Sequence, residues 1–285
     1  MRRRIEDIGA EAGMDGIGVA FFDYQHRTTW GYHADRWFHA ASTIKVPVLL
    51  GVFDAIARGT LRPESRVHVR NRFLSAADGR PYRVEPARDA NQDVHAAVGR
   101  TMTVRELARH MIVTSSNLAT NVLIDVVGLA QIQQMLQRFR LSGIELRRGV
   151  EDIPAWEQEI NNCVTAQGLV EALRIIHEEQ HFPAELRSEM LDILHAQAYR
   201  SGIPAGLPEV ARVANKTGEI STVAHDAGIV FLPERAPYIV VILTQWDAGV
   251  SARSETIANI SRAVYEYVTE GERPGEAEPA ARGAS

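Results

Sequence analysis

The sequence predicts an α/β fold: an antiparallel five-stranded sheet built from both chain ends, flanked by helices, with an all-helical lobe inserted between its halves. Three observations predict it. Strand-like runs lie near the two ends, at 16–33 and 210–246; the stretch between them carries helical periodicity; and a last amphipathic segment returns to helix.

Residues 16–24 (GIGVAFFDY) are β-rich and end in a turn at Gln25, His26 and Arg27, and 28–33 (TTWGYH) complete an antiparallel hairpin. From Ser42 the period becomes helical, with apolar Val46, Leu49, Leu50, Phe53 and Ile56, and Gly59 closes the segment. Residues 60–100, rich in Arg, Pro and Asp, predict a long irregular surface excursion. Helical patterns follow at 103–110, 117–127, 131–138 and 165–181, with a shorter one at 184–194. Runs at 210–218, 225–233 and 238–246 predict three strands, and 254–268 a final helix. The expected organisation is one domain over 1–270, with a sheet lobe (1–58 and 205–270) and a helical lobe (59–204). The polar, Pro/Gly-rich stretch 271–285 is expected to be a disordered tail.

With 45% hydrophobic and 24% charged residues in 285, the composition excludes collagen-like and disordered classes. A net charge of −5 offers no general attraction to nucleic acid or to an anionic membrane, and no apolar run approaches the ~18 residues of a membrane span. The single cysteine, Cys163, forms no intrachain disulfide, so the core must hold the fold. The start, MRRRIEDIGAEAG, has basic residues but no apolar stretch behind them, which is not a secretory signal. The chain therefore reads as cytoplasmic, or as periplasmic or secreted if a leader precedes it. The expected partner is a small-molecule substrate, with no nucleic acid, no membrane and a monomeric state.

Lysine usage is the sharper clue. Of 31 Lys and Arg residues only Lys45 and Lys216 are lysine, leaving 29 arginines. Arginine does not give up its proton, so the two retained lysines mark positions that need a titratable or compact amine.

Both lie in short motifs. Ser42–Thr43–Ile44–Lys45 opens a predicted helix, where residues three apart share a face and the hydroxyl meets the amine. A lysine held dry beside other cations is partly neutral and can take the serine proton. Ser115–Ser116–Asn117 opens a second helix, offering a proton-shuttling hydroxyl at Ser115 and a substrate-binding amide at Asn117. Lys216–Thr217–Gly218 ends a β-rich run, where an ammonium and a hydroxyl can hold a carboxylate and glycine lets a ligand approach the backbone.

In the order S-x-x-K, S-x-N, K-T-G, spanning about 16–268, the chain resembles the penicillin-recognising serine hydrolases, class A β-lactamases in particular. The resemblance implies a β-lactamase/transpeptidase-like fold, no cofactor and no metal, and opening of a β-lactam ring through a Ser42 acyl-enzyme. It implies Lys45 as base or relay, Ser115 as proton donor to the leaving nitrogen, and Lys216 and Thr217 as carboxylate ligands. It also implies an oxyanion hole from the backbone N–H groups of Ser42 and Ile220.

The acyl-enzyme needs a water-orienting base. The stretch 156–161 (WEQEIN) resembles the family's Glu-x-x-x-Asn loop, which makes Glu157 the base and Asn161 its water ligand, with Glu151 or Asp152 as alternatives. Three departures stand out. Ser116 occupies a position where class A enzymes carry aspartate, and His225 stands near their carboxylate-binding arginine. The excursion before Ser115 is long, and Tyr82 is a candidate cleft wall. An esterase or D,D-peptidase-like hydrolase of the same fold is the alternative. A remote one is a zinc peptidase through His177–Glu178–Glu179–Gln180–His181, an H-E-x-x-H match that Phe182–Pro183 cuts short.

Overall fold

A computed structural model describes residues 1–251 and 253–270; the expected tail at 271–285 lies outside the described residues. The main sheet contains β1 (Gly16–Asp23), β2 (Thr28–Tyr32), β3 (Arg212–Ile220), β4 (Val223–Leu232) and β5 (Arg235–Gln245). Its spatial order is β3-β4-β5-β1-β2, antiparallel throughout. The two chain ends thus meet where β1 pairs with β5, Gly16 opposite Gln245 and Asp23 opposite Tyr238. β3, which carries the K-T-G run, is an edge strand and leaves one side open to the cleft.

Both faces of this sheet are covered, which is why its strands read as continuous apolar runs. Val19 and Phe21 of β1, with Val240 and Ile242 of β5, face one core. There they meet Ile5 of α1 (Arg2–Ala12) and Ile257, Ile260 and Val264 of α8 (Arg253–Glu270). The intervening Ala20, Phe22, Ile239, Val241 and Leu243 face the other core. Period-two alternation thereby feeds two cores from one strand.

The second core is centred on α2 (Lys45–Ala57), in which every residue from Lys45 to Phe53 is buried. Around it pack α3 (Val104–Val113), α4 (Asn117–Val127), α5 (Leu129–Arg138), α6 (Ala166–His177) and α7 (Ala184–His195). The 60–100 excursion is largely irregular, as expected, with the small strand pairs 66–68 with 101–103 and 73–74 with 81–82.

Two elements differ from the sequence expectation. The first residues form α1, whose apolar side is sparse but sufficient to cover α8. The helix expected over 165–181 ends at His177, because Glu178 turns to extended backbone (φ −77, ψ 150). The H-E-x-x-H run therefore does not share one helical face. Glu178 bonds Arg174 and the Tyr24 hydroxyl, while His181 packs against Phe139, and the zinc reading has no site here. Among the described residues no group of three or more His, Cys, Asp or Glu comes together to hold a metal.

The turn at Ile203–Gly206 crosses α8 closely enough that a Cβ on Gly206 would lie 2.1 Å from the Ala258 carbonyl oxygen. Backbone cannot yield there as a flexible side chain would. Gly206→Ala is expected to cost roughly 1–3 kcal/mol, the usual range for overpacking, read by denaturant unfolding.

Candidate active site

Ser42 lies in a 3-10 turn, Ala41–Ile44, that runs directly into α2. The turn is entered through Ala41 in the left-handed region (φ 44). Proline at 47 does not interrupt the helix, because a first-turn N–H has no intrahelical acceptor to lose. Lys45, the first residue of α2, is fully buried. Its Nζ lies 3.1 Å from Ser42 Oγ, 3.0 Å from Ser115 Oγ, 2.6 Å from the Ser115 carbonyl oxygen and 2.8 Å from Asn117 Oδ1. Burial, and then the charge of Lys216, hold this amine well below the ordinary lysine value; Asp89 and Glu151 pull the other way. As a neutral amine Lys45 can donate to the carbonyl and the amide while accepting a proton from a serine hydroxyl.

Ser115 is itself left-handed (φ 59), a conformation that costs a non-glycine residue energy and is held by its neighbours. Ser116 caps α4 by accepting from Ala119 N. Beside it lies Asp89, a buried carboxylate from the irregular excursion. Asp89 accepts from the Ser116 hydroxyl (3.1 Å), Asn117 N (3.1 Å), Leu118 N (2.9 Å) and Asn91 N (3.2 Å), and pairs with His95 (3.2 Å). A serine at 116 is thus accompanied by a carboxylate from elsewhere in the chain.

The third motif closes the cleft. Thr217, Gly218 and Glu219 line a cavity of about 260 Å³ together with Ser42, Ser115 and Asn117. A Cβ on Gly218 would lie 2.8 Å from Thr43 N and 2.9 Å from Ser42 N, so only glycine lets β3 come this near the nucleophile turn. Lys216 is buried behind that wall; its Nζ donates to the Thr217 carbonyl at 2.8 Å. Desolvation pushes it down to about 7, against the pull of Asp226. Asp226, also buried, is pushed up to about 6 by desolvation, against hydrogen bonds from Asn215 and Ile203 N.

The structure brings together Ser42, Lys45, Ser115, Asn117, Thr217 and Gly218, with Lys216 directly behind. Five expected residues sit differently. Ile220 is an exposed strand end whose carbonyl accepts from Arg253, and Glu219 takes its place on the wall. His225, opposite Gly218 on β4, borders the cavity but spends both ring nitrogens on backbone. Nε2 donates to the His39 carbonyl at 2.9 Å, and Nδ1 accepts from Thr244 N at 3.1 Å. Burial pushes it down to about 4, so it does not replace an arginine as a carboxylate ligand.

Glu157 ends a short exposed helix, Ile153–Glu157, and has no hydrogen-bond or ion-pair partner among the described residues. Asn161 accepts from Arg148 at 3.1 Å, away from the cavity lining. Of the alternative acids, Asp152 is a buried cap holding Ser75 Oγ (2.7 Å) and Ala76 N (2.8 Å). Glu151 is the acid that touches the cluster: it accepts from Asn117 Nδ2 at 3.4 Å and pairs with Arg88 at 2.7 Å, on a left-handed backbone (φ 59). Tyr82 stands behind that loop, its hydroxyl 3.4 Å from the Val150 carbonyl, and is not a cleft wall.

Asp89→Ala removes the acceptor that anchors the start of α4. It is expected to cost roughly 3–5 kcal/mol, as for breaking a buried charged pair, and to slow Ser42 acylation as Asn117 shifts. Glu157→Ala should stay within about 0.5 kcal/mol. Denaturant unfolding of the two variants makes the comparison.

The family model described as Beta-lactamase enzyme family matches residues 1–268. Among curated relatives, β-lactamase VEB-1 of Pseudomonas aeruginosa is 21% identical over 263 residues, 88% of this chain and 85% of that protein. A β-lactamase of Bacteroides uniformis is 25% identical over 247 residues, 82% and 80% of the two chains. Among solved structures, PBP-A superposes with a TM-score of 0.79 at 25% identity, covering 95% of this chain and 97% of its own. A variant of the last common ancestor of Gram-negative bacteria class A β-lactamase reaches a TM-score of 0.82 at 22% identity, covering 95% and 98%. With a match that runs from the first residue into the last turn of α8, and with S-x-x-K, S-x-N and K-T-G gathered around one cavity, the chain belongs to the β-lactamase enzyme family.

Proposed function

We propose that the protein is a serine hydrolase that opens cyclic amides of the β-lactam type through an acyl-enzyme on Ser42. The observation that carries this is the placement of one buried amine, Lys45 Nζ, within 3.1 Å of the hydroxyls of both Ser42 and Ser115. Ser42 Oγ attacks the carbonyl carbon while its proton passes to Lys45 Nζ. Breakage of the carbon–nitrogen bond then sends a proton from Lys45 through Ser115 Oγ to the leaving nitrogen, and the amine returns to its neutral form. Thr217 and Gly218 line the wall along which the substrate lies. Named relatives of this chain are β-lactamases, which supports the cyclic amide as substrate.

Hydrolysis completes the cycle when a water adds to the acyl carbon and gives its proton to a base; the bond from that carbon to Ser42 Oγ then breaks, Oγ recovers the proton and the acid leaves. Glu151 supplies the base in this proposal, since its carboxylate accepts from the same Asn117 side-chain amide that touches Lys45. Three variants separate the steps. Ser42→Ala should show no mass adduct after exposure to benzylpenicillin. Glu151→Gln should acylate and then release its adduct roughly 10²-fold more slowly, the lower range of acid–base contributions. Glu157→Gln should turn over like the parent. An adduct on the alanine variant would refute the Ser42 nucleophile, and unchanged release from Glu151→Gln would refute the base. Cleavage of p-nitrophenyl esters with no cephalosporin turnover would favour an esterase.

A further inference from the structure

Charge is unevenly distributed over the cleft. The charged residues on its lining are Arg88 on the wall beside Asn117 and Glu219 on the β3 wall. Glu219 directly follows the K-T-G run, and its side chain is 59% exposed. Its partner Arg253, 2.6 Å away, is not on the lining. The Arg253 side chain is 16% exposed, and its guanidinium donates to the carbonyls of Ile220 (2.8 Å) and Ser221 (3.1 Å) at the β3–β4 turn.

Other cations near Glu219 are committed elsewhere. Lys216 is sealed behind the wall on the Thr217 carbonyl and faces Asp226. His225 has both nitrogens on backbone and stays neutral at ordinary pH. Arg88 belongs to the opposite wall and shares Glu151. The corner where the resemblance places a substrate carboxylate therefore presents a carboxylate of the protein.

We infer that Glu219 is a specificity-determining residue that selects acyl donors carrying no carboxylate at the end lying along Thr217–Glu219. It rests on the acyl-transfer proposal for Ser42 and ranks substrates within it. Glu219 is more than half exposed and ion-paired with Arg253, so water and the pair screen part of its repulsion of an anionic group in that corner without abolishing it. Neutral esters, neutral amides and cyclic amides with a masked carboxylate avoid it. An anionic group at the substrate's other end meets Arg88 instead.

A matched pair of reagents tests this on the full chain: benzylpenicillin and its methyl ester, which share one acylating ring. The readout is the ratio of their second-order rate constants for Ser42 acylation, from intact-protein mass over time. The ester is expected to react about two- to fivefold faster, a ratio that shrinks in high salt. Glu219→Gln should bring the ratio toward one by accelerating the free acid, and Arg253→Ala should widen it by uncovering the Glu219 charge. A wild-type ratio at or below one, or a ratio unmoved by Glu219→Gln, overturns the assignment. No Ser42 adduct from either reagent would instead refute acyl transfer itself, and the selectivity with it.

Discussion

Desolvation of the Lys45 amine is the constraint on which the cleft depends. The amine sits at the first turn of a helix that is buried from Val46 to Phe53, with no exposed surface of its own. An ammonium there loses its hydration and faces Lys216 as a like charge, so the neutral form gains. Either form requires oxygens at fixed positions, and the fold supplies four, two of them hydroxyls able to give or receive a proton.

Fixing those oxygens explains otherwise costly features. Ser115 adopts a left-handed backbone that presents both its carbonyl and its hydroxyl to Lys45. Asp89 offsets part of that cost by gathering the first N–H groups of α4 and the Ser116 hydroxyl, which seats Asn117 against the amine. From the other lobe, Gly218 lets an edge strand approach the nucleophile turn without a side chain between them. The cleft is therefore a junction of lobes, with Lys45 at the end of one core and β3 at the rim of the sheet.

Much of this was legible in the sequence, for physical reasons that differ by element. The strands were visible because a sheet covered on both faces needs unbroken apolar runs, and α2 because a central helix has few polar positions. The three motifs were visible because their chemistry is local: a hydroxyl and an amine three residues apart on a helical turn. Asp89 and Glu151 reach the site through tertiary routes. Asp89 comes from an irregular segment whose one local sign was Asx-turn chemistry around Asp89 and Asn91, and Glu151 depends on a left-handed backbone that spacing does not report. The family resemblance pointed to Glu157, which the short helix turns outward, and to His225, whose partners lie on β5 and before Ser42. The N-terminal helix was hidden by its own charge, because its few apolar residues suffice once α8 is present to receive them.

Having two lysines allows a direct test of the central claim. Protein labelled with ¹³C at lysine Cε gives two side-chain signals, assigned with Lys216→Arg, and each can be followed across a pH titration by NMR. Lys216 should titrate near 7 and Lys45 well below the lysine reference of about 10.4. A Lys45 signal that titrates at the reference value would mean the amine is solvated and charged, and would contradict the account.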